Sequence, residues 1–191
     1  MGYCKQIIGS KCCLSPLETS AAEKVAEWLN DLKVQMNFDA VYNLTAEEET
    51  YYIPEARKVS RIFGIVEIKT GKLIGVTGLH EIDHVSRHAM LGIYIGDPDY
   101  RNNGYGTEAV KLILDFGFNM LNLNNIALFV IEFNKRAIKV YEKCGFKHTG
   151  VKRKSKIFGD EKYDMLMMDI LYDEFKSVYV KKVLNELKEN N

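Results

Sequence analysis

Ala89-Met-Leu-Gly-Ile-Tyr-Ile-Gly-Asp-Pro-Asp-Tyr-Arg-Asn-Asn-Gly-Tyr-Gly-Thr-Glu-Ala109 is the stretch from which the fold is read. Leu91, Ile93 and Ile95 alternate as one face of a strand, Asp97-Pro98 ends it, and Arg101-x-x-Gly104-x-Gly106 leads into a helix. Glycines at such a junction let successive backbone N–H groups point into one space, because no Cβ blocks the approach. Those groups are the unpaired donors of the first helical turn, and the helix dipole adds partial positive charge there. A phosphate or pyrophosphate is the expected occupant.

Working outward, the preceding chain offers three strands, 61–68, 73–82 and 88–95, the first two joined by a tight turn at Thr70-Gly71-Lys72. Further upstream come a short strand around 11–14 and an amphipathic helix with Ala22, Val25, Ala26 and Leu29 at helical spacing. Thr45-x-x-Glu48 is a capping box that opens a second helix of about ten residues. Downstream, a helix over 105–121 buries Ala109, Leu112, Ile113, Phe116 and Met120. A strand over 126–133, a helix from Asn134 and strands near 146–156 and 162–171 follow. A last helix over 173–188 carries Phe175, Val178, Tyr179 and Leu187 on one side. The pattern is α+β (mixed α/β), an antiparallel meander followed by strand-helix-strand-helix-strand, in one domain over 1–191.

Composition fits that reading. A chain of 191 residues that is 47% hydrophobic can bury one sizeable core. Lys+Arg and Asp+Glu balance at 26 each, so no global field draws in nucleic acid or an anionic membrane. The start of the chain lacks the apolar core of a signal peptide, and Gln6 stands where a myristoylation pattern wants Ser or Thr. Cys4, Cys12, Cys13 and Cys144 are too sparse for a disulfide framework. The expectation is a cytoplasmic, reduced protein, working as a monomer or homodimer.

A second stretch names the phosphorylated ligand. Asn134-Lys-Arg-Ala137-Ile-Lys-Val-Tyr141-Glu-Lys-Cys-Gly145-Phe146 follows the strand-like run 126–133. Together the two stretches resemble the GNAT acetyltransferase superfamily, in its branch of ribosomal-protein N-terminal and spermidine N-acetyltransferases. The resemblance runs roughly over 60–172, with a looser match in the N-terminal helices. It implies a single GNAT-like domain with a mostly antiparallel twisted sheet, helices on both faces and a splayed central strand pair. It also implies an acetyl-CoA-binding core over about 88–146.

Acetyl-CoA is then the co-substrate, and the acceptor is a small amine such as a polyamine, or a peptide N-terminus. The resemblance puts the pyrophosphate on the turn of Arg101, Asn102, Asn103, Gly104, Tyr105, Gly106 and Thr107. The pantetheine arm lies between Ile93, Tyr94 and Ile95 on one side and Asn134 and Ala137 on the other, with Lys143 toward the nucleotide. Arg101 is read either as added charge or as a surface arginine closing the turn. Asn134 is read either as serving the pantetheine amides or as a helix N-cap, and Lys143 either as reaching the nucleotide end or as an exposed lysine.

Acyl transfer from a thioester to an amine needs a base, an oxyanion donor and a proton for the leaving thiolate. Tyr141 matches the family tyrosine in the last role, against a plainer reading as a core aromatic. The resemblance implies a backbone N–H as oxyanion donor where Leu91–Ile95 splays from its neighbour. Relatives often carry an acid just before the Leu-Gly of the central strand, and this chain has Met90 there. Glu81 or water is left as the base, with Glu81 as an ordinary hairpin carboxylate in competition. A non-catalytic acyl-CoA-binding module is the alternative from another class, because the usual acid is missing. Trp28, Phe38, Tyr51 and Tyr52 are available to line an acceptor pocket between the N-terminal helices and the 74–95 hairpin.

Two rival motifs are present. Gly104-x-Gly106-x-x-Ala109, with Glu132 at the end of the next strand, satisfies the dinucleotide-binding fingerprint. That fold needs several more βα units than the remaining chain supplies. His80-Glu81-Ile82-Asp83-His84 is a literal zinc-protease motif, which requires a helix. Its flanks alternate like strands, and extended chain would hold the two histidines more than about ten ångströms apart. No metal is expected, with incidental binding by His80, His84 and His88 the reservation.

Overall fold

The strand that opens the motif pairs on both sides, and the two pairings differ in length. In the computed structural model, which describes residues 3–38 and 41–189, it is β5 (His88–Ile95). Its antiparallel ladder with β4 (Leu73–Asp83) runs the whole way from Asp83↔His88 to Gly75↔Ile95. Its parallel ladder with β6 (Asn125–Ile131) covers only His88↔Asn125, Ala89↔Ile126 and Met90↔Ala127. Beyond Met90 the two strands part and leave a wedge.

The described strands form one eight-stranded sheet in the order β1-β2-β3-β4-β5-β6-β8-β7. The others are β1 (Ile7–Ile8), β2 (Cys12–Pro16), β3 (Arg61–Glu67), β7 (Lys147–Phe158) and β8 (Glu161–Leu171). Every pairing is antiparallel except β5–β6. Parallel neighbours need a crossover, and α4 (Tyr105–Asn119) supplies it. This rules out a dinucleotide-binding sheet. Glu132, the acid that reading needed, instead accepts from the Asp164 N–H of β8 at 2.8 Å.

Two cores flank the sheet. On one face, α4 and α5 (Lys135–Cys144) bury Ala109, Leu112, Ile113, Ile138 and Tyr141 against Leu79, Leu91 and Ile126. On the other, α1 (Ala22–Asn30) and α3 (Ala46–Val59) bury Val25, Trp28, Leu29 and Ile53 against Val66, Leu73 and Val76. A short α2 (Leu32–Gln35) extends the α1 side. Trp28 presses on the end of β5: a Cβ on Gly96 would lie 2.0 Å from its ring, so only glycine fits there.

Three helix boundaries differ most from the sequence reading. Helix α3 runs 14 residues, through Pro54, because its capping box and the burial of Ile53 and Ala56 outweigh the lost N–H. Helix α4 stops at Asn119, leaving Met120 exposed. The last helix, α6 (Tyr179–Glu189), starts at Tyr179 rather than 173. Its start is fixed by the buried Asp115 of α4, which accepts from the N–H groups of Val178, Tyr179 and Val180 at 3.1, 2.8 and 3.3 Å.

Candidate active site

Where β5 and β6 part, a cleft of about 450 Å³ opens between the end of β5, the start of α4 and the length of α5. Gly104 sits just before α4 in the left-handed region, at φ +84°, and gives the helix no side-chain cap. The first intrahelical bond there is Glu108 N–H to the Gly104 carbonyl, so the N–H groups of Tyr105, Gly106 and Thr107 have no helix partner. A Cβ built on Gly106 would have no atom nearer than Ile95 Cγ1 at 3.9 Å. The protein itself therefore leaves that space open, beside unclaimed donors.

Most of the residues singled out for acetyl-CoA border this cleft: Ile93, Tyr94, Ile95, Arg101, Asn102, Gly104, Gly106, Thr107, Asn134, Ala137, Tyr141 and Lys143. Asn103 and Tyr105 do not. The Asn103 carbonyl accepts from Lys11 Nζ at 2.8 Å, and Tyr105 packs edge-on against Tyr100 with its hydroxyl on Glu67. Arg101 closes the turn, donating from Nε to the Ile95 carbonyl at 3.0 Å and from Nη2 to that of Gly96 at 2.8 Å. Asn134 is the N-cap of α5, its Oδ1 accepting from Ala137 N–H at 3.1 Å.

Sequence reasoning named Lys143 but overlooked Arg136 and Lys139, which make a row of cations with it. Arg136, Lys139 and Lys143 all border the cleft from α5, at a spacing that puts them on one helix face. That periodic signal was present in the sequence. Lys33 and Asn37, also overlooked, border it from the α2 side. Unclaimed N–H groups, an open Cβ position and a cationic wall together fit a pantetheine pyrophosphate.

Tyr141 is buried, and its ring packs against Phe146 with centroids 5.7 Å apart. It also lines the cleft, and no described residue hydrogen-bonds its hydroxyl. Burial, with the Cys144 thiol beside it, pushes the phenol well above its ordinary value, so it stays protonated throughout the neutral range.

Comparison with known proteins agrees with this geometry. The Acetyltransferase (GNAT) domain family matches residues 11–147. The chain belongs to the GNAT acetyltransferase family. It is similar to a spermidine N(1)-acetyltransferase of Escherichia coli (strain K12), 35% identical over 72% of this chain and 73% of that one. It is also similar to the spermidine N(1)-acetyltransferase of Vibrio cholerae, 32% identical over 59% of this chain and 65% of that one. A crystal structure of spermidine N-acetyltransferase from Vibrio cholerae, in complex with CoA and spermine, superposes with a TM-score of 0.78 at 27% identity, over 87% of this chain and 98% of that one. The protein is thus an N-acetyltransferase that draws on acetyl-CoA.

This acetyltransferase has a second cavity, of about 220 Å³, under α1 and α3 on the other side of β5. Phe38, Ile93 and Tyr94 border both spaces, so the two meet where β5 leaves β6. Of the aromatic residues expected around an acceptor, Phe38 and Tyr52 line the second cavity. Trp28 is core instead, and Tyr51 is 75% exposed.

Glu81 lies outside both spaces, exposed on the irregular stretch between His80 and Asp83 at φ +49°. The zinc-protease-like motif runs along the end of β4 into a turn, where helical i,i+4 geometry does not apply. Among the described residues, no three His, Cys, Asp or Glu side chains gather as a metal site. His80 points inward to the second cavity, and burial lowers its pKa.

The carboxylate in that cavity is one the sequence reading passed over. Glu49, from the first turns of α3, is 2% exposed, and its Oε2 has no hydrogen-bond partner. The Tyr94 hydroxyl is likewise buried and unpartnered.

Proposed function

We propose that this acetyltransferase acylates a primary alkylamine of the spermidine class by direct attack on the thioester. One observation carries the reading: an apolar-walled cavity with a buried carboxylate meets the cofactor cleft at Ile93 and Tyr94. Such walls suit a methylene chain, and a carboxylate suits an ammonium. Two relatives named for spermidine, and a solved neighbour holding spermine, support the same class.

In this reading acetyl-CoA supplies the activated acyl group. The first-turn N–H groups of Tyr105, Gly106 and Thr107 hold its pyrophosphate, with Arg136, Lys139 and Lys143 near its outer phosphates. The edge of β5 that faces β6, unpaired beyond Met90 although the other edge stays on β4, supplies a donor to the carbonyl oxygen. Tyr141 gives its phenolic proton to sulfur as the C–S bond breaks. Four free cysteines are at home in a reducing cytoplasm.

The test is release of free CoA with spermidine and spermine, set against amino acids, aminoglycosides and short peptides. Turnover confined to the polyamines is expected. A preference for peptide N-termini would transfer the acceptor to that class, and CoA binding without any turnover would leave a non-catalytic module.

A further inference from the structure

We propose that Glu49 is the catalytic carboxylate of this enzyme, delivered from helix α3, receiving the acceptor's ammonium together with the Tyr94 hydroxyl and taking its proton. The inference rests on the reading above as an amine acetyltransferase.

The central strand offers no acid for the task. Met90 stands at the point where β5 and β6 part, paired with His80 on one side and Ala127 on the other. No aspartate or glutamate lines the cofactor cleft among the described residues. Among the described residues, Glu49 is the sole carboxylate of the second cavity, which also holds Tyr42, Tyr52, Tyr94 and His80 and no described lysine or arginine. Among the described residues that line the two spaces, Glu49 is the carboxylate available to take a proton from an amine at their junction.

The placement of Glu49 departs from local rule. Thr45 is the N-cap of α3 and Glu48 completes its capping box, so Glu49 occupies the fourth helical position. That position ordinarily carries an apolar side chain that staples against the residue before the cap. Here the residue before the cap, Leu44, does line the cavity, and a carboxylate faces it. A fold places a charge where a hydrophobic contact is the norm when function requires it.

The two unpartnered buried atoms, Glu49 Oε2 and Tyr94 Oη, line the same cavity. Buried polar groups without partners are rare and costly. An ammonium carries three N–H donors, enough for the carboxylate, the phenol oxygen and one further acceptor. Burial also raises the Glu49 carboxyl to about 7, a value suited to exchanging protons at neutral pH.

The step balances as follows. Glu49 takes one proton from the ammonium, freeing the nitrogen lone pair. Nitrogen bonds to the carbonyl carbon, the C–S bond breaks, and sulfur leaves with its electron pair and the Tyr141 proton. The second nitrogen proton returns through solvent to Tyr141, and Glu49 releases its own to solvent, leaving amide, CoA thiol and one proton.

Glu49→Gln keeps the side chain's shape and tests the proposal. With spermidine, kcat/KM should fall at least 100-fold, and the acidic limb of the pH–rate profile near 7 should vanish. The acetyl-CoA dissociation constant should stay within twofold, confirming a folded variant, and Glu49→Asp should recover part of the rate. Calorimetry of spermidine binding to the CoA-saturated protein should show a loss of more than tenfold. A variant within threefold of wild type that keeps the limb overturns the assignment while leaving acetyl transfer intact. A wild type that acetylates no amine overturns the acetyl-transfer reading, and the calorimetry then decides Glu49: equal spermidine affinity in both proteins rejects it.

Discussion

Gly104 and Gly106 serve one turn for different reasons, and substitutions tell them apart. Gly104 needs its positive φ, so any side chain there strains the backbone before a ligand is considered. Gly106 has room for a Cβ in the free protein, so Gly106→Val should leave melting nearly unchanged yet raise the acetyl-CoA dissociation constant more than tenfold. Unchanged affinity by calorimetry would reject the pyrophosphate assignment. Tyr141→Phe removes only the hydroxyl, so kcat should fall by roughly 10²–10⁴ with cofactor affinity held. A change under threefold in CoA release would return Tyr141 to a purely packing role. The glycine turn was legible from local backbone needs, whereas Tyr141 was picked out only by the resemblance, since its own pattern reads equally as a core aromatic. Glu49 was hidden, because a glutamate in a helix's first turns reads as dipole compensation until tertiary packing turns it inward.

At the scale of elements, α6 shows what one-dimensional reading misses. Its apolar residues suggest an earlier start, but the start is set by a side chain of another helix. Asp115 takes three backbone N–H groups and the Ser177 hydroxyl at 2.7 Å, which no nearby residue announces. Asp115→Ala should cost about 1–3 kcal/mol, because it leaves those donors unserved in a buried setting. Hydrogen exchange should quicken across 179–189, while acetyl-CoA affinity stays as it was. Unaltered protection of those amides would show that the cap is unimportant. Helix α3 carries the same lesson. Its start was legible from Thr45-x-x-Glu48, whereas its continuation past Pro54 depends on burial of Ile53 and Ala56.

For the whole molecule, strand periodicity and turn chemistry located the meander and the motif helices closely. The short β1 and α2 escaped, since neither is long enough to show a period. The early parting of β5 from β6 was implied only by resemblance, and the strand order was not read at all, because pairing partners leave no trace in local pattern. A cleft built this way binds its cofactor only when folded, so acetyl-CoA should stabilise the protein by roughly 2.7 kcal/mol at one hundred times its dissociation constant. NAD and ATP should add nothing in the same melting experiment. A rise with NAD and none with CoA would reject the cleft assignment.

The wall shared by the two cavities, at Phe38, Ile93 and Tyr94, also governs the order of events. In the proposed reading donor and acceptor meet across it directly, and the free thiols Cys12, Cys13 and Cys144 are buried and border neither space. With the direct transfer proposed above, no acetyl group is parked on the protein between arrivals. Both substrates must be aboard before either is altered, and an enzyme left alone with acetyl-CoA stays chemically as it began.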